Sequence, residues 1–359
     1  MQSLAAIFVL SVLAAGFAHA ADPLVACNGE PIPAGTPAGN GNPRTPPNAD
    51  GPTAIRAGFF IKDLKDIDAV QSSFWFRGVL TFRWCDPRLA FDPATAGTDE
   101  RSFFGAEVLA EPIWRGRGFL VNLVGDAEET ARVLRIRYDG TASGSANMSA
   151  RLASNFDLRR FPFDTQRLIL EIESYVWDEG QVQIMADEEK TGFAETFEIP
   201  EWTVTGVQAN VRTVDVVRAD KPFSRLTLAI DIKRKSGFYL WKILLPLLII
   251  VMLSWSVFWM VEENFGMRVR LAATGVLTVV AYQFAVAKDL PRVGYLTLID
   301  KVTVISFLLL ATTVLESYLA SSARAKDPEK ALRIDRAARW MFPLGYAALI
   351  LVVFIGSTG

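Results

Sequence analysis

The stretch Gly266–Pro291, GMRVRLAATGVLTVVAYQFAVAKDLP, decides how the rest of the chain is read. Its cationic side chains, Arg268, Arg270 and Lys288, stand at the two ends, and Leu271 to Ala287 carries no charge. At steps of four and three residues, Arg270, Thr274, Leu277, Ala281, Phe284 and Lys288 fall on one stripe of an α-helix. At 1.5 Å per residue the stripe runs about 27 Å, close to the hydrocarbon thickness of a bilayer. A lipid-facing stripe would not begin and end in charge with Thr274 between, whereas a water-filled channel with an apolar waist that dewets would. A buried bundle helix with Thr274 hydrogen-bonded to its own backbone fits the same spacing, because periodicity does not separate pore from core.

The rest of the chain fits a membrane setting. Its 359 residues allow about two domains. A net charge of -2 shows no nucleic-acid footprint, and the 51% hydrophobic content is concentrated after residue 237. Four apolar spans are predicted there, at about 238–261, 267–288, 296–320 and 337–356, each long enough to cross a bilayer. The first holds a single charge, Lys242, and also Pro246, which is tolerable where neighbouring helices satisfy the freed backbone groups. Arg324, Lys326, Lys330, Arg333 and Arg336 lie between the third and fourth spans and make that loop cytoplasmic by the positive-inside rule. Lys233, Arg234 and Lys235 run against the rule on the outer side, where an export signal sets the orientation first.

Residues 1–20 read as that signal, an apolar run closed by the small-x-small site Ala18-His19-Ala20. The sole histidine lies inside it, which leaves the mature chain without a histidine for catalysis, metal binding or pH sensing. Residues 21–52, rich in Pro, Gly, Asn and Thr, predict a disordered arm. Export permits a disulfide between Cys27 and Cys85, but two cysteines give no geometry, so paired and free both stand. From 53 to 235 short alternating runs separated by turn signals such as Asp139-Gly140 predict strands, among them Phe74–Trp84, Arg167–Ser174 and Leu226–Lys233. That pattern argues for an all-β immunoglobulin-like sandwich followed by a four-helix transmembrane bundle at 236–359.

At Phe161-Pro162-Phe163-Asp164-Thr165-Gln166 the chain resembles the pentameric ligand-gated ion channels, the superfamily of the Cys-loop receptors. Trp84-Cys85-Asp86-Pro87-Arg88-Leu89, Tyr239-Leu240-Trp241, Ser254-Trp255-Ser256-Val257-Phe258-Trp259 and Leu277-Thr278-Val279-Val280-Ala281-Tyr282 carry the same likeness. Animal members place cysteines at the ends of the FPFD loop, where this chain has Ser154 and Leu168. That departure, and the short Ser321–Asp335 loop, resemble the bacterial branch.

The resemblance implies a homopentamer around a central pore in a bacterial inner membrane. Its partners would be lipid bilayer, permeating ions and a small-molecule agonist, an amine among the candidates, and it implies no cofactor. Leu277, Ala281 and Phe284 would form apolar rings that exclude ions in the closed state. Cation-conducting relatives carry Glu at the inner mouth, where this chain has Gly266 and Met267. Arg268 and Arg270 lie about 200° apart on a helix, so only one faces the axis, and Arg270 shares the stripe. Five permanently charged Arg270 side chains would draw anions, unless Arg270 pairs with Glu263 and leaves the lumen neutral.

By resemblance, Glu173, Tyr175, Trp177 and Phe223 would form an agonist box at the subunit interface, its carboxylate and aromatic faces suited to an ammonium. The loop Val214–Pro222 has no aromatic, and Gly116 and Arg117 replace the expected Pro and acid after Trp114, both departures from amine-gated members. Asp164 and Arg234, beside Phe161 and Pro291, would couple the sandwich to the helices, with Asp66 or Asp68 joining them. Asp187, Glu188 and Glu189 form a carboxylate cluster better read as a solvated loop face than as a calcium site. An enzyme finds no nucleophile motif or phosphate loop here. The rivals to an anion channel are a cation channel and a non-conducting membrane-anchored sensor.

Overall fold

The computed structural model describes residues 24–38, 44–48, 50–195, 197–216, 220–260, 265–324 and 326–356. The expected leader, with His19, and the acidic residues Glu262 and Glu263 lie outside them.

Alternation builds the first domain. The strands are β1 (Thr53–Asp68), β2 (Ser73–Cys85), β3 (Glu100–Phe104), β4 (Phe119–Leu120), β5 (Glu128–Arg137), β6 (Thr141–Ala153), β7 (Thr165–Glu173), β8 (Val182–Ala186), β9 (Gly192–Phe193), β10 (Trp202–Asp215) and β11 (Pro222–Arg234). One sheet runs β3-β5-β6-β2-β1-β8, with β9 also on β1, and the other runs β10-β11-β7-β4. Phe74, Phe76, Leu80, Phe82 and Trp84 point from β2 to a shared core. Leu168, Leu170 and Ile172 of β7 meet them there, together with Leu226, Leu228, Ile230 and Ile232 of β11. Each such side chain contributes roughly 1.5–3 kcal/mol on burial, and the period of two gives each sheet one apolar face. The product is a β-sandwich. Short helices α1 (Pro93–Ala96) and α2 (Glu107–Ala110) sit in its connections.

The amino-terminal segment departs from the disordered arm expected of its composition. Cys27 and Cys85 form a disulfide with Cα atoms 5.8 Å apart, and the Cys27 amide donates to Asp139 O at 2.7 Å. Asp92 accepts from the amides of Gly35 (2.7 Å) and Ala94 (2.9 Å), and these backbone donors hold its pKa below the ordinary carboxylate value. A covalent bond and charge-assisted hydrogen bonds here supply the order that a Pro- and Gly-rich segment cannot draw from apolar burial. Ser154 Oγ donates to Arg167 O at 2.7 Å, a link across the base of the FPFD loop.

The membrane segment begins with α3 (Gly237–Tyr239), passes through a π-helical turn (Leu240–Leu244) into α4 (Leu245–Ser254), and ends in a 3-10 turn (Trp255–Trp259). Three further helices follow: α5 (Phe265–Val286), α6 (Leu298–Arg324) and α7 (Pro328–Gly356). All four segments are long and apolar enough to cross a membrane. Two boundaries differ from the sequence reading. Helix α5 stops at Val286, so Lys288 lies in the turn beyond the helix rather than on its stripe. Helix α7 starts at Pro328 instead of 337, because proline suits a first helical position and Asp327 accepts the Lys330 amide at 3.0 Å.

Pro246 has no N–H to donate, and the hydroxyl of Tyr282 on α5 turns to the carbonyls one turn before it, 2.7 Å from Ile243 O and 3.2 Å from Lys242 O. Nearer the middle, a Cβ added to Gly275 would stand 2.1 Å from Ser254 Oγ and 2.7 Å from Ser254 Cβ. Only glycine permits α5 to approach α4 so closely. Gly275→Ala is expected to destabilise the purified protein by about 1–3 kcal/mol. Ser254→Gly added to it should restore the melting temperature, and a melting temperature untouched by Gly275→Ala would show that the helices part without cost.

Candidate functional site

Helix α5 has two unlike faces. Arg270, Thr274, Leu277, Ala281 and Phe284 are exposed in the single chain, with Leu277 at 69% and Phe284 at 78%. Arg268, Ala272 and Val279, on the other side, are at most 1% exposed. Thr274 Oγ donates to Arg270 O at 2.8 Å, the back-bond that a plain bundle helix also allows, yet the residue faces outward with the rest of the stripe.

The buried end of that second face is polar. Arg268 grips Asp335 of α7 with both terminal nitrogens, at 2.6 and 3.0 Å, and Glu316 of α6 stands 3.7 Å away. Arg324 shares Asp335 at 2.8 Å. A bidentate, fully desolvated pair of this kind has one good geometry. It fixes the rotation of α5, and with Arg268 turned inward Arg270 is turned out.

Between the domains a second buried pair organises the FPFD loop. Arg234, the last residue of β11, donates to both carboxylate oxygens of Asp164, at 2.8 and 3.1 Å, and Gln166 Nε2 adds a bond at 2.6 Å. The Arg234 guanidinium lies 4.1 Å from the Trp202 ring centroid and 4.8 Å from that of Phe161. Phe161 then meets Tyr239 edge-on at 4.6 Å and clusters with Leu158, Ile243 and Ile299, against which Leu290 packs. Pro291, next in line, is half-buried, and the Leu158 amide donates to the Tyr295 hydroxyl at 2.9 Å. Asp68 instead accepts from the Val70 and Gln71 amides within its own turn, and Asp66 is exposed. Neither has a hydrogen bond to Arg234 among the described residues.

The residues expected around an agonist are divided. Glu173 is fully buried and its carboxylate is held by Arg225 at 2.6 and 2.8 Å, because the β7–β11 register sets the two directly opposite. Phe223 is buried at 3% and Trp177 packs against the sandwich core. Tyr175 alone of the four is largely exposed, at 64%, and it meets Phe119 of β4 edge-on at 5.1 Å. Phe119 and Arg225 had no signal in the sequence, since each becomes relevant only through strand register. Trp114 meets Trp84 edge-on at 6.0 Å inside the sandwich, and Arg117 pairs with Glu129 at 2.7 Å. Asp187 is bound to Arg83 at 3.0 Å, and no group of three or more metal-ligating side chains occurs among the described residues.

An extracellular β-sandwich joined through a polar junction to four membrane-spanning helices defines a class of membrane receptor. Residues 40–236 match the neurotransmitter-gated ion-channel ligand binding domain and residues 243–331 match the neurotransmitter-gated ion-channel transmembrane region. The chain therefore belongs to the family of neurotransmitter-gated ion channels, whose members are channels and not enzymes. It is 27% identical to a proton-gated ion channel of Gloeobacter violaceus over 312 residues, 86% of this chain and 85% of that one. It is 29% identical to a gamma-aminobutyric acid receptor subunit beta-like protein of Drosophila melanogaster, over 81% of this chain and 61% of that one. With a pH-sensitive chloride channel 2 of Anopheles gambiae it shares 26% identity over 69% of its length and 42% of the relative's.

Replacing Asp164 by Asn leaves Arg234 buried without its counter-charge. The expected loss is about 3–5 kcal/mol of stability, read by chemical or thermal unfolding, and a loss below 1 kcal/mol would mean that the aromatic cage carries Arg234 unaided.

Proposed function

We propose that the chain is one subunit of a homopentameric ligand-gated channel of a bacterial inner membrane. Residues 53–235 form its periplasmic domain, 236–359 its membrane domain and 1–20 a removable leader. The observation that carries the reading is the polarity of α5. One face is clamped into the bundle through Arg268, and the stripe from Arg270 to Phe284 is left uncovered within the subunit. Five copies around an axis would cover that stripe with one another and with water. Leu277, Ala281 and Phe284 then act as the gate, Thr274 lies below them, and Lys288 stands at the outer mouth.

Arg270 makes the pore anion-selective, because a guanidinium ring stays charged at any accessible pH and repels cations. The chloride channel among the relatives supports an anion pathway. Agonist binds between subunits near Tyr175 and Phe119, where two aromatic rings offer a cation a π-face. A small amine suits that face. Acid gating is a second reading, favoured by the proton-gated and pH-sensitive relatives.

Reversal potentials of single channels in a bilayer under a NaCl gradient test selectivity. Wild type should reverse near the chloride potential and Arg270→Gln should move toward sodium. Reversal near the sodium potential in both would make this a cation channel. Current in the mutant alone would mean that the ring blocks the pore and that the protein is a sensor. Leu277→Ser is expected to raise open probability several-fold by wetting the apolar waist, and unchanged activation would remove Leu277 from the gate.

A further inference from the structure

Arginine presents its N–H donors on two usable edges, an end-on pair from both Nη atoms and a side-on pair from Nε and Nη2. Elsewhere in the chain the side-on edge is filled. Arg234 sets Nε and Nη2 on Asp164 at 2.8 and 3.1 Å, and Arg167 does the same on Asp231 at 2.7 and 3.1 Å. At the foot of α5, Arg268 meets Asp335 with the end-on edge alone. Its Nε is buried without a hydrogen-bond partner, in a residue only 1% exposed.

Glu316 of α6 stands beside Nη2, the atom that both edges share. Its Oε2 lies 3.7 Å from Arg268 Nη2 and takes only a long 3.5 Å bond from the Ser317 hydroxyl. Its Oε1 is buried without a partner among the described residues. A side-on pair would set Nη2 on Oε2 and Nε on Oε1, and so satisfy the unpartnered donor and the unpartnered acceptor together. Asp335 would not have to release Arg268, since each Nη carries a second hydrogen, and Arg324 also holds Asp335 at 2.8 Å. What separates Glu316 from the guanidinium is about 1 Å of travel, from 3.7 Å to the roughly 2.8 Å of a charge-assisted bond.

The direction of that travel gives it a function. Arg268 lies on the bundle side of α5, opposite the exposed stripe that five copies would turn to the axis. Drawing Arg268 onto α6 therefore draws the foot of α5 away from the axis and widens the mouth ringed by Arg270. We propose that Glu316 is a positioning residue for channel opening. Arg268 grips only Asp335 when the inner mouth is narrow, and grips Asp335 and Glu316 together when it is wide. Two buried groups without partners weigh against the narrow state, and the contact between them favours the wide one, which is the differential interaction a two-state helix needs. The proposal rests on the pore reading of α5 and adds to it a latch that touches neither the lumen nor the agonist face.

The test records single channels of the full-length protein in planar bilayers, with Leu277→Ser present so that openings are frequent without an agonist. Glu316→Gln keeps the shape and removes the charge, and should lower open probability about tenfold. Glu316→Asp keeps the charge but is one methylene too short to close the gap, and should lower it similarly. In an Arg268→Gln background Glu316→Gln should change nothing further. Open probability untouched by Glu316→Gln, full activity of Glu316→Asp, or equal losses with and without Arg268 would overturn the proposal and leave the channel reading in place. Absence of current from every variant would overturn both. Should Arg268→Gln fail to fold, electron cryomicroscopy of wild type and Leu277→Ser in lipid nanodiscs decides the matter. Arg268 Nε and Glu316 Oε1 should stand about 2.8 Å apart in Leu277→Ser and farther apart in wild type. The same separation in both, or a water bridging the two atoms in both, would overturn the latch.

Discussion

A guanidinium buried among carboxylates decides which way the second membrane helix faces. Arg268 touches α6 and α7 at once, through Glu316 and Asp335, and it sits where α5 begins. Apolar packing alone would hold such a helix at the right distance but weakly in rotation, since Leu and Val side chains accept neighbours from many angles. A bidentate ion pair removed from water is directional. Rotating α5 by even one residue would strand Arg268 and Asp335 uncompensated, at a penalty far above that of shifting methyl groups. The outward stripe is a consequence of this seating.

The same economy appears at the other end of the bundle. The Asp164–Arg234 pair is enclosed by Trp202 and Phe161 and closed by Gln166, so the cation is satisfied by charge, by ring faces and by a saturated carboxylate together. Phe161 extends this arrangement downward onto Tyr239 and Ile299. The Tyr282 hydroxyl bridges to the π-helical turn beside them and answers the hydrogen-bonding gap opened by Pro246. The membrane domain is thus fastened by a few polar contacts of fixed geometry, with apolar surfaces filling the space between them.

How much of this was legible from residues alone varies with the kind of signal. The sandwich was, because β2, β7 and β11 alternate strongly. So were the four spans and the outward stripe of α5, since each is a one-dimensional pattern. The spacing of Arg268 and Arg270 told that one must turn inward, but Asp335 as its partner lies 67 residues away and has no local mark. Glu173 shows the opposite failure. Its type suggested an open carboxylate, whereas cross-strand register gave it Arg225, and register is not written in either strand by itself. Strand β6, TASGSANMSARLA, hides among small polar residues, and its glycine and alanines look like loop until β2 and β5 flank them. The order of residues 24–38 depends on Asp92 and Cys85, both distant in sequence.

The disulfide has a practical geometry of its own. The β1–β2 turn lies toward the membrane, where Ala69 packs beside Leu290, and β2 then climbs from Ser73 to Cys85. At about 3.3 Å per residue that climb is roughly 40 Å. Cys27 is therefore held at the rim of the sandwich farthest from the bilayer. A fluorophore or affinity handle placed just before Val25 would stand clear of lipid and detergent, anchored to the rigid end of the molecule.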